Sequence, residues 1–341
     1  MPYDLITMGR VGVDLYPEQI GVPLADVRTF AKSLGGSATN VAVAAARLGA
    51  HAAVITKVGD DPFGPYVRAA LRGFGVDDAF VGTHPTLRTP VVFCEIFPPD
   101  DFPLLFYREP TAPDMTLAAG ELDLEAIRDA RVFWTTGTGL SAEPSRSATL
   151  TALSARDPSP EAGRRPSGSE RGARAERWRA RSARQDPAER PLTVHDLDHR
   201  PMFWHAESEA GRWARAALAH ATVAVGNRDE AAVATGTRDP EAAAEALIEL
   251  GVELAIVKRG PEGVLARTRD ERVEVPAVPV DVVNGLGAGD AFGGALVHGL
   301  LNGLPLERTI RLANASGAYV AGRLACADAM PTIADLEGSL V

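Results

Sequence analysis

Asn284-Gly285-Leu286-Gly287-Ala288-Gly289-Asp290-Ala291-Phe292 is a glycine-rich turn that runs straight into an apolar helix. The free N–H groups of such a turn add to those of the helix N-terminus and make an anion site. Small residues are needed there, because a Cβ would hold a phosphate away from the backbone. Asp290 falls within the first helical turn, where the same N–H groups favour its ionised form. From that place it can take a proton from a hydroxyl while the oxygen attacks phosphorus. An isolated aspartate at a helix start is more often a simple cap, so the rest of the chain has to decide between the two roles.

Far upstream, Gly35-Gly36-Ser37-Ala38-Thr39-Asn40 opens the first long helix. Paired glycines let a ligand approach the backbone, and Asn40 offers a donor and an acceptor to hydroxyls. Around these two motifs strand and helix alternate. Tyr3 to Met8 reads as a buried first strand, with residues 11–16 extended beyond it. Residues 37–48 read as a helix with Ser37 as N-cap and Gly49 just past its end. Strands follow at 52–57, 132–136, 193–197, 222–225 and 254–258, and helices at 66–74, about 145–154, 207–220 and 241–250. A hairpin around 264–275 and helices at 290–301 and 306–323 close the chain. The alternation predicts one α/β domain over 1–341, a doubly wound and mostly parallel sheet with helices on both faces.

Two stretches depart from it. Residues 89–96 and 104–108 are β-rich runs joined by a Pro-Pro-Asp-Asp turn, and read as a hairpin. With residues 15–33 they predict a small antiparallel sheet, a β lid whose strands lie near 13–33 and 89–109. Residues 156–191 are dense in Arg, Pro, Gly, Ser and acids, with Trp178 their only large apolar side chain. Such a segment buries too little surface to offset its ordering entropy, and reads as a disordered insertion.

Composition excludes several classes. Acids outnumber bases 45 to 35, for a net charge of −10, which argues against nucleic acid or an anionic membrane as the main partner. Cys94 and Cys326 lie far apart and form neither a metal-ligand spacing nor a disulfide framework, so a reducing cytoplasm is expected. Asp4, Arg10 and Asp14 interrupt the first apolar stretch, which is no signal peptide, and no later run is long and apolar enough to span a bilayer. There is no G-x-x-x-x-G-K-[ST] and no G-x-G-x-x-G after the first strand, so neither a P-loop nor a dinucleotide fold is expected.

Gly35-Gly36 with Asn40, followed much later by Gly287-Ala288-Gly289-Asp290, resembles the two signatures of the PfkB/ribokinase family of carbohydrate kinases, over nearly the whole chain except 156–191. The resemblance implies a ribokinase-like fold, ATP and Mg²⁺ as cofactors, and Asp290 as the base within the Gly287, Ala288, Gly289 turn. It implies that Asp14, Gly35, Gly36 and Asn40 bind the sugar. Asn227 and Glu230 resemble the family's N-x-x-E element, with Glu230 acting on the metal through water and Asn227 on the nucleotide side. Lys258 and Gly260 match a nucleotide-side strand end, and Asn314 a residue beside the adenine. Within the family, the stretches 8–10 with 13–16, 106–108, 145–146 and 196–201 are closest to kinases of keto-deoxy sugar acids, which place a Tyr-Arg pair on a lid strand. Arg108 would then form two parallel bonds with a carboxylate.

The implied acceptor is 5-dehydro-2-deoxy-D-gluconate, phosphorylated on its terminal 6-hydroxyl. Rivals are 2-keto-3-deoxygluconate, fructose and ribose, or a catalytically silent sugar- or nucleotide-binding regulator. Asn284 stands where many members carry an aspartate that helps hold a monovalent cation, which argues against activation by potassium. Lids of this family often pair between subunits, so a homodimer through the lid is a further implication.

Overall fold

Alternate residues of the central strands serve two different cores, which is how a two-sided sheet shows itself in side chains. In the computed structural model, which describes residues 2–156 and 191–336, Leu254 and Ile256 join one apolar cluster while Ala255 and Val257 join another on the opposite face. The strands are β1 (Leu5–Met8), β2 (Gly12–Pro17), β3 (Phe30–Gly35), β4 (Ala52–Gly59), β5 (Val76–Asp77), β6 (Val81–His84), β7 (Val91–Cys94) and β8 (Leu104–Tyr107). They continue as β9 (Val132–Thr136), β10 (Leu192–Asp196), β11 (Val223–Asn227), β12 (Leu254–Lys258), β13 (Val264–Arg267) and β14 (Arg272–Val275). The large sheet runs β14-β13-β12-β11-β10-β9-β1-β4-β5, with β6 also on β4. It is parallel from β12 to β5, and only the β13–β14 hairpin turns antiparallel. The doubly wound expectation holds.

Helices α1 (Ser37–Arg47), α2 (Phe63–Gly73), α3 (Leu124–Asp129), α4 (Ser145–Ala155), α5 (Glu207–Leu218), α6 (Arg228–Thr235), α7 (Pro240–Glu249), α8 (Ala288–Leu301), α9 (Leu306–Ala321) and α10 (Ile333–Leu336) cover the sheet. Helix α1 packs closely on α8. A Cβ at Gly294 would overlap the Ala44 side chain, and one at Gly293 would meet the Trp134 ring at 2.8 Å. These glycines let the two helix N-termini, which carry Asn40 and Asp290, meet. The start of α1 differs from expectation: Gly36, at φ 102, is its N-cap, and the Ser37 hydroxyl instead donates to Asp198.

The strand order reverses between β9 and β1, and the loops that leave the C-terminal ends of β1, β9, β10 and β12 converge there. That is where open α/β sheets bind ligands. A second sheet, β3-β2-β7-β8, lies over this edge. The expected lid is therefore present, but it is mixed rather than antiparallel, because β2 pairs with β7 in parallel. The chain reaches β7 only after passing through β4 to β6, and that crossover sets the direction. Most of the expected insertion, residues 157–190, lies outside the described residues. Its first residue does not fit the expectation: Arg156 is drawn in, donating to the carbonyls of Ile127, Ala130 and Leu192.

Candidate active site

Gly287 caps α8 with φ 78, a backbone state that favours glycine, and a Cβ there would lie 2.5 Å from Cys326 Sγ. Ala288, Gly289 and Asp290 then form the first helical turn with their N–H groups free for an anion. Lys258, at the end of β12, places its Nζ 3.2 Å from where a Gly289 Cβ would be. Burial works against its charge, but Asp196, Glu230, Asp290 and Asp198 outweigh it and keep the ammonium protonated. Turn and lysine together make a cradle for phosphate oxygens.

Asp290 accepts a 2.9 Å hydrogen bond from Asn40 Nδ2. Its carboxyl is pushed up to about 6, chiefly by burial. Asp198 adds to the rise, and Asn40, Arg200 and Lys258 oppose it. A buried carboxylate poised near neutrality is suited to accept a proton from an alcohol. Across the cleft, Asp14 on β2 is also raised to about 6 by burial, against the pull of the Tyr16 hydroxyl and Arg10. Tyr16 Oη lies 3.1 Å from Asp14 Oδ2 and 2.7 Å from Cys326 Sγ. Gly35 leaves the notch that the Asp14 carboxylate fills, and Gly36 lies against the Arg10 carbonyl.

A cleft of about 570 Å³ between the main sheet and the lid is lined by Asp14, Gly36, Asn40, Arg108, Gly287 and Asp290. Six residues named from sequence thus meet at one place. Arg108 is not a free cation, however: its Nη2 is paired with buried Asp114 at 2.5 Å. Asp114 Oδ2 also accepts from the Val11 N–H, which ties the lid to the segment that carries Asp14. Asn227 and Glu230 bond each other in a reciprocal capping box at the start of α6, a helix the sequence reading left out. Gly260 lies in an exposed turn after β12 with φ 58, and Asn314 holds the Pro276 carbonyl; neither lines the cleft.

The sequence reading missed two further arginines, Arg10 and Arg200, which also line the cleft. Both reach the buried carboxylate of Asp198 at 3.2 Å. Asp198 and Asp196, two residues apart, are driven in opposite directions. Burial raises Asp196 against the pull of Lys258, while Arg10 and Arg200 overcome burial and hold Asp198 low. The stretch 196–201 was conspicuous in the sequence, but only the fold shows which arginines its second aspartate gathers.

Two buried carboxylates raised towards neutrality and a glycine turn with free N–H groups around one cleft are the arrangement expected of a phosphotransferase acting on an alcohol. The sequence matches the profile described as pfkB family carbohydrate kinase over residues 4–161 and 194–333. The chain belongs to the pfkB family, and it is a sugar kinase. It is 32% identical over 338 residues to the 5-dehydro-2-deoxygluconokinase of Photobacterium profundum, covering 97% of this chain and 92% of that protein. It is 30% identical to the enzyme of that name from Geobacillus kaustophilus, covering 98% and 93%. Among solved structures, a protein described as a ribokinase II from E. coli, in complex with ATP and Mg²⁺, superimposes with a TM-score of 0.82 at 22% identity, covering 99% of each chain. The fructokinase of Vibrio cholerae, bound to fructose, ADP and calcium, gives 0.78 at 24% identity, again over 99% of each.

Proposed function

We propose that this kinase phosphorylates the 6-hydroxyl of 5-dehydro-2-deoxy-D-gluconate, a step of myo-inositol breakdown. The observation that carries the reading is how the arginines of the cleft are paired. Three guanidiniums, Arg10, Arg108 and Arg200, line it, and two buried carboxylates, Asp114 and Asp198, stand behind them. The remaining acids, Asp14 and Asp290, are assigned to hydroxyls. Three guanidiniums therefore share two carboxylate partners, and the carboxylate of a sugar acid would be a third. A neutral sugar would leave desolvated guanidinium N–H groups without an acceptor, which is costly. The relatives at about 30% identity carry the name of a kinase for this acid.

The residues fit ATP and Mg²⁺. The glycines at 287 and 289 leave a cradle that a Cβ would fill, with Lys258 beside it. ATP with Mg²⁺ supplies the phosphoryl group. Among the described residues no group of three His, Cys, Asp or Glu side chains is arranged to hold a metal ion, so Glu230 would act on Mg²⁺ through water and phosphate would supply most of its ligands. In this reading Asp14 and Asn40 orient the acceptor hydroxyls, Arg108 faces the carboxylate, Asp290 takes the 6-hydroxyl proton, and the turn N–H groups stabilise the charge that develops. Asn314 and Gly260 belong to the nucleotide side. Asn284 has no charge to offer a monovalent cation and is already engaged, donating to the Leu324 carbonyl at 2.6 Å and accepting from Leu286 N at 2.9 Å. Phe30, Phe93 and Tyr107 form a chain of edge-to-face rings on the lid, Tyr107 being 61% exposed, which suits pairing of two lids in a homodimer.

The test is a coupled ADP-release assay over 5-dehydro-2-deoxy-D-gluconate, 2-keto-3-deoxygluconate, fructose and ribose. The keto-deoxy acid of the proposal should give the highest kcat/KM, equal in potassium and tetramethylammonium salts. Turnover of fructose or ribose with none of either acid would sink the sugar-acid reading.

A further inference from the structure

The three cleft arginines are not equivalent. Arg200 lies in the field of Asp198, which it shares with Arg10, and of Glu230, Asp290 and Asp196. Arg10 and Arg108 instead flank a common aromatic ring, their Cζ atoms 5.7 and 5.8 Å from the Phe203 centroid. Phe203 in turn packs edge-on against Phe106 of the lid, at 5.3 Å. One end of the cleft therefore holds two guanidiniums around an apolar ring, and the other holds the base and the anion turn.

Arg10 is held more firmly than a cleft-lining arginine needs for packing alone. Its Nε donates to Thr138 Oγ1 at 3.0 Å, and its Nη2 reaches Ser37 Oγ at 3.3 Å and Asp198 Oδ2 at 3.2 Å. Its Nη1 bonds no protein atom among the described residues, and it is not one of the sealed-off buried polar atoms. Asp198 is built for the task. Its Oδ2 also accepts from the hydroxyls of Ser37 at 2.8 Å and Thr138 at 2.9 Å. Its backbone has φ 26, the one positive value at a non-glycine among the described residues. Strain of that kind persists where the surroundings over-determine it, and it concentrates at functional sites.

We infer that Arg10 is a second specificity-determining residue, fixed by Asp198 so that its Nη1 edge joins Arg108 in gripping the carboxylate of the acceptor. The inference rests on the sugar-acid reading above. An arginine clamped on three N–H groups presents the remaining edge without further loss of side-chain entropy, which is what makes a charged hydrogen bond effective. Asp198 is a positioning residue: it touches Arg10 and Arg200, and through them it links the two ends of the cleft.

The test compares kcat and KM on the best sugar acid and on fructose for the parent, Arg10→Lys, Arg10→Gln and Asp198→Asn. Arg10→Lys keeps a cation opposite Asp198 but removes the free edge. It should raise KM for the acid about 10-fold or more, with kcat changed less than about threefold and KM for fructose unmoved. Arg10→Gln should do the same more strongly. Asp198→Asn should raise KM for the acid and also displace the acid limb of the pH profile, because it removes a negative charge near Asp290. A folded Arg10→Lys, shown by an unchanged thermal midpoint, with parental KM on the acid overturns the assignment. So does an equal rise on acid and fructose, which would mark Arg10 as structural. If the parent enzyme prefers neutral sugars, the sugar-acid reading itself has failed, and the parent's own substrate panel shows that before any variant is made.

Discussion

The two ends of the cleft are built by different means. The end proposed for phosphate is backbone: Gly287 to Asp290 is contiguous, and what it offers are N–H donors that any sequence has, exposed by the absence of side chains. The acceptor end is side chain. Arg10 follows β1, Arg108 follows β8, Phe203 and Asp198 follow β10, and Asp114 precedes α3. A backbone site is fixed by local geometry and tolerates only glycine or small residues. A side-chain site is fixed by ion pairs between distant segments, and it can change specificity without disturbing the chemistry. A substitution at one end can therefore leave the other as its control.

Asp290 stands where the ends meet, and its loss should have the largest effect. Asp290→Asn should lower kcat by about 10²–10⁴-fold while both substrates still bind, measured by single-turnover kinetics and by titration with a non-hydrolysable nucleotide. In the parent, kcat/KM should fall as pH drops through about 6, since Asp290 and Asp14 are both raised to about that value and both act ionised. Stability should move the other way. A carboxyl whose folded pKa lies above its unfolded value costs the folded state stability as pH rises from about 4 to about 6, and the full cost remains above that. Asp290→Asn should therefore melt higher than the parent at pH 7.5, with the gain shrinking towards pH 4. Parental turnover in the variant would leave Asp290 as a structural partner of Asn40 and no base.

Arg108→Ala strikes the acceptor end only. A lost charged hydrogen bond costs about 1.5–3 kcal/mol, or roughly 10- to 150-fold in KM for a sugar acid. The variant also leaves Asp114 buried without its partner, so some thermal stability should go with it. KM for ATP should stay within about twofold. Gly287→Ala strikes the phosphate end. Its backbone is left-handed and its new Cβ would press on Cys326 Sγ, so about 1–2 kcal/mol of strain must be relieved by moving the turn. KM for ATP should rise severalfold and KM for the acceptor should not. If both variants moved both constants alike, the two-ended description would fail.

The contrast also explains what could be read before the fold was known. The parallel core was legible from short apolar runs alternating with helical stretches, and the end proposed for phosphate from one nine-residue stretch. Asn40 and Asp290 were both identifiable, but the glycines at 293 and 294 that bring them together read only as small residues in an apolar helix. Arg10 and Asp198 were hidden because their meaning is pairwise: partners 188 positions apart leave no local pattern. Asp114 stands only 6 positions from Arg108, but its bond to the Val11 N–H spans 103. The direction of β7 was missed for a similar reason. A hairpin fixes how β7 meets β8, but not how that pair docks on β2.

The smallest effect is expected from replacing residues 157–189. The family match stops at residue 161 and resumes at 194, so most of 157–190 has no counterpart in it. On the described side, Arg156 Nη2 donates to the Leu192 carbonyl at 2.8 Å, and its Nε reaches Thr193 Oγ1 at 3.3 Å. The described residues on the two sides of the segment are thus within reach of one arginine side chain, and a short connection can span the gap. Replacing Asp157 through Glu189 with a short Gly/Ser bridge should leave kcat and both KM values unchanged. It should shift stability by no more than the closure entropy allows, about 0.6 kcal/mol for each halving of loop length and in the stabilising direction. Arg156 has to be kept, because its guanidinium also satisfies the carbonyls of Ile127 and Ala130. Chemical denaturation and the same coupled assay read both quantities. Loss of turnover with stability intact would show that the segment serves the cleft after all, and loss of folding would show that it packs on the domain.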